Sequence, residues 1–455
     1  MGRVALVTLG CPKNLVDSED LLDRLRREGF RYAEEPEDAD LVLVNTCGFI
    51  EDAKRESIQE ILKLKTIREK GKRILVFGCL AQRYRDELMK EIPEIDALWG
   101  VGEDDSIIEY CKEALNGESG KVSTEEMDIP LHYRVSASPL SLFSSYAYLK
   151  IAEGCSRSCT FCVIPSIRGL YQSMEPEKIL MRAEAYVRSG IRELILIAQD
   201  TGNYGREFRG YGLPSLLRDL STIRGDFWIR LLYLYPTALS DELMPVLAGN
   251  DKICRYLDIP LQHSEDRILK AMGRGGTKEL YKGMIETLRD SIPDIALRTT
   301  FIVGFPGESE EEFRGLRDFI EEMRFDRLGV FIYSREEGTP ASRLNGQIPK
   351  RTKERRRDEI MRVQSFISFA SNRSLVGRSL RALIDEVDGR IAIGRIYSQA
   401  PEIDGTIIID NPGFQTGDPN FETAHHQSTL LRTGEFVDVR ITGAYEHDLR
   451  GEPVV

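Results

Sequence analysis

Three cysteines in one short segment are the residues of this sequence with the most distinctive spacing. Cys155, Cys159 and Cys162 form a C-x3-C-x2-C pattern, directly after the apolar run Tyr146–Ile151. Three thiolates on one loop can converge on a single metal centre, and cysteine thiolates are the usual ligands of iron–sulfur clusters. A cubane cluster held by three cysteines keeps one iron free of protein ligands. A small molecule can bind that iron and receive an electron there.

A structural zinc site is the simpler alternative for the same cysteines. Such a site usually takes four protein ligands, often as paired C-x2-C units, whereas this segment supplies three cysteines with no histidine nearby. Plain free thiols are the other alternative. Because such compact spacing is typical of a metal site, we favour an iron–sulfur cluster.

Strand and helix signals alternate in the first part of the chain. Apolar runs predict strands at Val4–Leu9, Leu41–Val44 and Ile74–Phe77, and helical patterns occur at Asp17–Glu28 and Ala53–Arg68. This rhythm is typical of a parallel sheet with helices on both faces.

A second set of cysteines follows these three strands. Cys11, Cys47 and Cys79 each lie just past the carboxyl end of one predicted strand, next to a glycine. The carboxyl ends of an open parallel sheet share one edge, where ligands bind. The three thiols are therefore predicted to meet in space. Three separate buried thiols are the alternative, but recurrence in three successive units favours a shared site.

The central part of the chain repeats the strand and helix alternation. The predicted strands are Tyr146–Ile151, Glu193–Ile197, Trp228–Tyr233, Tyr256–Ile259, Ala296–Val303 and Gly329–Tyr333. Six such units indicate a partial barrel, whose functional groups lie at the carboxyl ends of its strands.

The last part of the chain has a different pattern and an acidic charge. After the helical pattern Thr352–Asn372, short β-rich runs predict a small antiparallel barrel of the OB type, with strands at Leu380–Ile384, Ile391–Ile396, Thr406–Ile409 and Phe436–Thr442. Residues 377–455 contain 7 Arg, no Lys and 13 Asp plus Glu, a net charge of 7 − 13 = −6. Affinity for nucleic acid comes largely from cations, so this barrel suits a basic protein better than RNA.

Composition limits the class of protein. The 455 residues suggest two to four domains, and 41% hydrophobic with 30% charged residues describes a globular chain. The net charge of −12 disfavours non-specific nucleic-acid binding. No run approaches the ~18 apolar residues of a membrane helix. Eight cysteines, three of them in one tight triplet, indicate metal binding in a reducing compartment. We therefore expect a cytoplasmic protein without a membrane partner.

The cysteine triplet, with Phe161 just before its last member, resembles the signature of the radical S-adenosylmethionine (SAM) enzymes. The continuation Val163–Gly169 resembles the methylthiotransferases within that superfamily. The segment Leu9–Glu19 resembles the branch of this family that methylthiolates an aspartate of ribosomal protein S-twelve. The resemblance covers essentially the whole chain.

The resemblance implies an α/β chain with three domains. Residues 1–116 would form a doubly wound, parallel methylthiotransferase domain with an auxiliary cluster, followed by a linker at 117–140. Residues 141–374 would form a partial (β/α)6 radical SAM barrel. Residues 375–455 would form a TRAM domain, which is a small antiparallel β-barrel.

The resemblance also implies the cofactors, namely SAM and two [4Fe–4S] clusters. One cluster would bind Cys155, Cys159 and Cys162. The auxiliary cluster would bind Cys11, Cys47 and Cys79. No catalytic side chain is predicted beyond these ligands.

Polar groups at the ends of the barrel strands are predicted to contact SAM. Gln199, Gln262 and Arg298 would hold its amino-acid, ribose and adenine parts, with Phe161 nearby, and Gly304 would let the backbone approach adenine. Ordinary hydrogen bonding inside the barrel is the alternative for each of the three polar side chains.

The implied reaction uses two SAM molecules. One would be cleaved to methionine and a 5′-deoxyadenosyl radical, which removes hydrogen from the β-carbon of the aspartate. Sulfur from the auxiliary cluster would bond to that carbon, and a second SAM would supply the methyl group. The implied partners are ribosomal protein S-twelve, free or in the small subunit, a flavodoxin- or ferredoxin-like electron donor, and a sulfur source. No direct nucleic-acid substrate is expected.

Two rival functions stay open at this point. The first is the sister activity, methylthiolation of adenosine in tRNA; the segments Cys11–Asp17 and Ile164–Ser166 and the acidic last domain favour the protein substrate instead. The second is a non-enzymatic iron–sulfur sensor or RNA-binding module, which the six-unit barrel disfavours.

Overall fold

The computed structural model describes residues 2–116, 122–123, 145–411 and 431–454. Among these residues, no helix is both long enough and apolar enough to cross a membrane.

The N-terminal domain is a parallel sheet covered by helices on both faces. Its strand order is β2-β1-β3-β4-β5-β6, and side chains of β3 alternate between two apolar cores: Val42 and Val44 face one core, whereas Leu41 and Leu43 face the other. The elements are β1 Arg3–Thr8, α1 Pro12–Arg27, β2 Arg31–Tyr32, β3 Leu41–Thr46, α2 Glu51–Lys63, α3 Lys65–Arg68, β4 Arg73–Gly78, α4 Cys79–Arg83, α5 Arg85–Glu91, β5 Ala97–Leu98, α6 Asp104–Asn116 and β6 Val122–Ser123.

The helix predicted over Ala53–Arg68 is divided in the structure. It ends at Lys63, and the short α3 begins at Lys65, with Leu64 between them. The linker predicted at 117–140 lies outside the described residues, apart from Val122 and Ser123, which form the edge strand β6.

The central barrel is a six-stranded parallel sheet in the order β14-β13-β12-β11-β10-β7. Helices cover its outer face and bury a large apolar core. The elements are β7 Tyr146–Lys150, β8 Ala152–Glu153, α7 Ile164–Arg168, β9 Gln172–Ser173, α8 Pro176–Arg188, β10 Glu193–Ile197, α9 Leu213–Thr222, β11 Trp228–Leu231, α10 Leu243–Ala248, β12 Ile253–Asp258, α11 Asp266–Ala271, α12 Lys278–Ser291, β13 Ala296–Val303, α13 Glu310–Met323, β14 Arg327–Ile332 and α14 Lys350–Ser374.

The C-terminal barrel is closed, in the order β15-β16-β17-β19-β18. Its strands are β15 Ser379–Asp388, β16 Ile391–Ile396, β17 Ile407–Asp410, β18 Phe436–Ala444 and β19 Leu449–Pro453. The fold class predicted from the sequence is confirmed, with two differences in this barrel: β19 was not predicted, and it pairs with β17 in parallel. Only its first residue, Leu449, is a buried apolar side chain, so the strand carries little hydrophobic signal.

The two outer domains contact opposite ends of the central barrel. Val16 of helix α1 shares one buried apolar cluster with the inner side chains Tyr148 and Ile195, and Asp17 pairs with Lys150 at the carboxyl end of β7. The C-terminal barrel instead meets the amino ends of the strands, where Arg395 pairs with the buried Glu193 at 2.5 Å. Domain packing therefore leaves the carboxyl ends of the barrel strands to face the N-terminal domain.

Candidate functional site

The radical triad, which is our name for Cys155, Cys159 and Cys162, lies on the loop between β8 and α7. Backbone hydrogen bonds fix this loop: Cys155 donates to the carbonyl of Gly169 at 3.1 Å, and Cys162 donates to that of Cys159 at 3.1 Å. Burial, with smaller contributions from the neighbouring thiols of Cys159 and Cys155, raises the pKa of the Cys162 thiol to about 12. The three thiols therefore lie within electrostatic reach of one another.

A glycine makes this loop possible. Gly154 has a φ of 72°, and a Cβ at this position would collide with the carbonyl of Leu170. The chain can then pass from the buried Glu153 directly into the triad.

The auxiliary triad, which is our name for Cys11, Cys47 and Cys79, meets at the carboxyl edge of the N-terminal sheet. Cys11 caps α1, Cys47 follows β3 directly, and Cys79 begins α4. The Oδ1 of Asn14 lies 4.0 Å from Cys11 Sγ and 3.7 Å from Cys79 Sγ. Burial raises the pKa of Cys47 to about 12, with smaller contributions from Cys79 and Cys11. The structure thus brings together three thiols that are distant in sequence.

The donor sets of both triads fit an iron–sulfur cluster. Across the described ranges, no three His, Cys, Asp or Glu side chains are arranged to hold one metal ion. Each site offers three soft thiol ligands, which suit iron–sulfur chemistry.

Arg168 connects the surroundings of the two triads, and the sequence did not predict this role. Its side chain is 2% exposed. Its Nε donates to Cys79 Sγ at 3.3 Å, its Nη1 donates to both carboxylate oxygens of Glu153 at 3.0 Å, and its Nη2 donates to Asn14 Oδ1 at 2.6 Å and Asp17 Oδ2 at 3.0 Å. The available signal was its position at the end of the segment that follows the radical triad.

Glu153 is the buried carboxylate at the centre of this network. It accepts hydrogen bonds from Lys150 Nζ at 3.0 Å and from Gln199 Nε2 at 2.6 Å, in addition to Arg168. Burial alone would raise the pKa of Glu153, but the charges of Arg168 and Lys150 hold it well below its ordinary value. Glu153 is therefore a carboxylate anion. It lies immediately before the loop that carries the radical triad, and its hydrogen bonds hold the start of that loop in place.

Gln199 and Gln262 retain unused hydrogen-bonding capacity at the barrel mouth. The Oε1 atoms of both side chains are buried and have no partner among the described residues. Gln262 also has a φ of 74°, in the left-handed region that non-glycine residues rarely adopt. Strain of this kind occurs where surrounding structure fixes a functional position. Both orphaned acceptors fit the ammonium and hydroxyl donors of SAM.

Arg298, Gly304 and Phe161 have other neighbours. Arg298 donates to Asp258 at 3.0 Å and lies 3.5 Å from Asp404 of the C-terminal barrel. A Cβ at Gly304 would collide with the side chain of Lys353, so protein occupies that side of the glycine. Phe161 packs on an apolar cluster that includes Phe305. SAM contacts at these positions stay predictions.

Comparisons with known proteins give consistent results. Three family models match in sequence order: the uncharacterized protein family UPF0004 at residues 3–100, the Radical SAM superfamily at 149–320 and the TRAM domain at 376–454. The chain is 51% identical to "Ribosomal protein uS12 methylthiotransferase RimO" of Thermodesulfovibrio yellowstonii, over 99% of each chain. It is 44% identical to the protein of the same name from Desulfitobacterium hafniense, over 99% of this chain and 98% of the other.

Among solved structures, the chain resembles the radical SAM methyltransferase TsrM from Kitasatospora setae. The TM-score is 0.55 at 16% identity, and the match covers 75% of this chain and 77% of the other. At that identity the likeness concerns the fold.

Proposed function

This chain belongs to the RimO family of radical SAM methylthiotransferases, and on that premise we propose that it methylthiolates the β-carbon of an aspartate in ribosomal protein uS12. It is an enzyme, and its cofactors are two [4Fe–4S] clusters and SAM. We further propose that one SAM is the source of the radical and a second SAM is the methyl donor. The names of the relatives and the segment Leu9–Glu19 support the protein substrate.

The proposal assigns one cluster to the radical triad and the other to the auxiliary triad. When bound, the clusters and SAM supply the electron, the radical, the sulfur and the methyl group, which side chains cannot supply themselves. The chain's own residues hold the thiolates in place and orient the ligands. Gln199 and Gln262 offer their buried carbonyl oxygens to the donors of SAM, and Glu153 fixes Gln199 at 2.6 Å.

The main support for the proposal is that Arg168 contacts a residue of the auxiliary triad and, at the same time, a residue next to the radical triad. It reaches Cys79 of the auxiliary triad at 3.3 Å and Glu153, which leads into the radical triad, at 3.0 Å. The substrate carbon has to meet a radical and then a sulfur. Both triads must therefore face the same substrate-binding space. The contacts of Arg168 support this arrangement, because they join the two triads through one side chain.

The charge of the C-terminal barrel supports a basic protein partner. Its net charge of −6 disfavours the phosphates of RNA, which is the substrate in the sister branch of the family. We also propose that a flavodoxin- or ferredoxin-like protein delivers the electron and that a separate source supplies the sulfur.

The test is mass spectrometry of reconstituted reactions. Purified holoenzyme, reductant, sulfide and SAM would be incubated in parallel with uS12, with small ribosomal subunits and with tRNA. We expect one methylthio group on an aspartate of uS12 and none on tRNA. A methylthio group on tRNA adenosine, with uS12 unmodified, would contradict the proposal and would show that the chain has the activity of the tRNA-modifying branch.

A further inference from the structure

Lys13 is a buried lysine that lies between the two parts of the site. It is 9% exposed, and its Nζ lies 3.5 Å from the centroid of the Tyr233 ring. In the part of the chain that the structure describes, its ammonium group makes no ion pair and no hydrogen bond.

The burial of this charge is unfavourable unless an anion joins it. Removing an ammonium from water costs several kcal/mol, and a cation–π contact returns roughly 0.5–2 kcal/mol. Buried charges in proteins are ordinarily paired. Lys13 has no carboxylate partner among the described residues, so its ammonium group is available to bind an anionic ligand.

The surroundings of Lys13 place that ligand between the auxiliary triad and the barrel mouth. Lys13 is in the first turn of α1, two residues after Cys11, and no side chain caps this helix end. Tyr233 follows strand β11 and has a φ of 59°. The structure holds Tyr233 in this strained conformation: its amide donates to Asp258 Oδ2 at 3.1 Å, and its carbonyl accepts from the amide of Thr201 at 3.2 Å.

Other cations lie closer to the radical triad. The guanidinium groups of Arg157 and Arg274 are 3.8 Å and 4.1 Å from the centroid of the Tyr235 ring. Arg274 Nη1 is 3.8 Å from Cys159 Sγ, and its Nε is buried without a partner among the described residues. A carboxylate of SAM bound at the radical triad has Arg274 available, whereas Arg157 is paired with Asp200 at 2.7 Å. Lys13 lies instead on the side where sulfur must meet the substrate carbon.

We propose that Lys13 binds the side-chain carboxylate of the aspartate that is methylthiolated, and that it is a specificity-determining residue. This inference rests on the proposed function. The β-carbon of aspartate is bonded directly to its carboxylate, so a cation beside Cys11 would hold the reacting carbon near the auxiliary triad. Adenosine has no carboxylate, and Lys13 would therefore also favour protein over tRNA.

The experiment compares enzyme and substrate variants in a double-mutant cycle. Mass spectrometry first locates the aspartate that wild-type enzyme modifies. Dissociation constants are then measured between SAM-loaded holoenzyme and uS12, or uS12 with that aspartate changed to asparagine. The enzymes are wild type, Lys13→Met, Lys13→Arg and the control Lys90→Met, whose side chain is 82% exposed.

We expect wild-type enzyme and Lys90→Met to bind the asparagine substrate about 10- to 100-fold more weakly than uS12, the range for a hydrogen bond to a charged group. Lys13→Met should bind both substrates equally, and Lys13→Arg should keep part of the difference. Iron content and SAM binding should match wild type in all variants.

Three results would overturn the inference. The first is equal binding of both substrates by wild-type enzyme, which needs no Lys13 variant to fold. The second is undiminished discrimination in Lys13→Met. The third is loss of SAM binding in Lys13→Met with discrimination intact, which would assign Lys13 to the carboxylate of SAM. If the wild-type enzyme modifies no aspartate of uS12, the proposed function itself is wrong. That result is seen in the first mass-spectrometry step, before any binding is measured.

Discussion

Arg168 donates a hydrogen bond from its Nε to the Sγ of Cys79 across 3.3 Å. A side chain at the end of α7, the helix that follows one cysteine triad, thus touches a thiol of the other triad, although the two residues are 89 positions apart in sequence. Hydrogen bonds to cysteine sulfur help to set the reduction potential of an iron–sulfur cluster.

Changing Arg168 to methionine should lower the reduction potential of the auxiliary cluster, because a positively charged donor that favours the reduced form is lost. It should also destabilise the protein, by less than the roughly 3–5 kcal/mol for leaving a buried charge unpaired, because Glu153 keeps Lys150 as a partner at 3.0 Å. Redox titration followed by electron paramagnetic resonance, together with thermal unfolding, measures both effects.

Arg182→Met is the matched control for that prediction. Arg182 is 1% exposed and pairs with Asp20 of the N-terminal domain, and within the described part of the chain it forms no hydrogen bond to a cysteine. It should lose comparable stability and keep both reduction potentials. Equal potentials in wild type and Arg168→Met would contradict a tuning role for Arg168.

Replacing the radical triad with alanine should remove one cluster and all SAM cleavage. Since each triad is assigned one [4Fe–4S] cluster, the Cys155, Cys159 and Cys162 variant should retain about half of the wild-type iron. Iron analysis and chromatography of 5′-deoxyadenosine measure the two effects. Wild-type iron content in this variant would count against the assignment.

The sequence predicted where the cysteines would meet, because long apolar runs mark strands buried on both faces. Two barrel strands, Glu193–Ile197 and Ala296–Val303, have the predicted bounds. Once the strands are known, parallel topology alone puts Cys11, Cys47 and Cys79 on one edge.

Side-chain partners could not be predicted in the same way. Arg298 pairs with Asp258 and faces Asp404 of another domain, which its sequence position did not indicate, and its contact with SAM stays a prediction. Such pairs depend on how domains pack, and a polar residue at a strand end has the same sequence signal whether it holds a ligand or a neighbouring carboxylate. Arg168 was overlooked for the same reason.

The acidic surface of the C-terminal barrel should contribute to binding of uS12. Asp385 is unsuitable as a test because it accepts two hydrogen bonds from the buried Arg395, at 2.7 and 2.9 Å. Glu386 and Asp388 are exposed on the same strand. Neutralising both, as Glu386→Gln with Asp388→Asn, should weaken binding about two- to fivefold at low salt, with a smaller effect at high salt.

Glu279→Gln with Asp290→Asn removes the same charge from exposed positions on α12 of the central barrel and serves as the control. It should bind uS12 as wild type does. If both pairs of substitutions weaken uS12 binding equally, the affinity depends on the net charge of the protein and not on the surface of the C-terminal barrel.

His263 should make the stability of the central barrel depend on pH. Burial lowers its pKa to about 3, and its Nδ1 accepts a hydrogen bond from the amide of Glu265 at 3.0 Å. The unfolded state takes up a proton near pH 6.5, whereas the folded state does not. The free energy of unfolding therefore does not depend on His263 protonation above pH 6.5, and it decreases as the pH falls from 6.5 toward 3.

Between pH 7 and pH 5, protonation of His263 in the unfolded state should lower the free energy of unfolding by about 2 kcal/mol. Thermal unfolding of wild type and His263→Gln at both pH values checks it. The variant should lose less stability over this interval than wild type; parallel losses would show that His263 already binds a proton in the folded protein.

The auxiliary triad tests the central claim that one site makes the radical and a separate site supplies the sulfur. Holoenzyme with Cys11, Cys47 and Cys79 all changed to alanine would be incubated with SAM, reductant and uS12, and both 5′-deoxyadenosine and modified uS12 would be quantified by mass spectrometry. We predict that 5′-deoxyadenosine still forms, because the radical triad is intact, and that methylthiolated uS12 is absent. Full methylthiolation of uS12 by this variant would contradict the account.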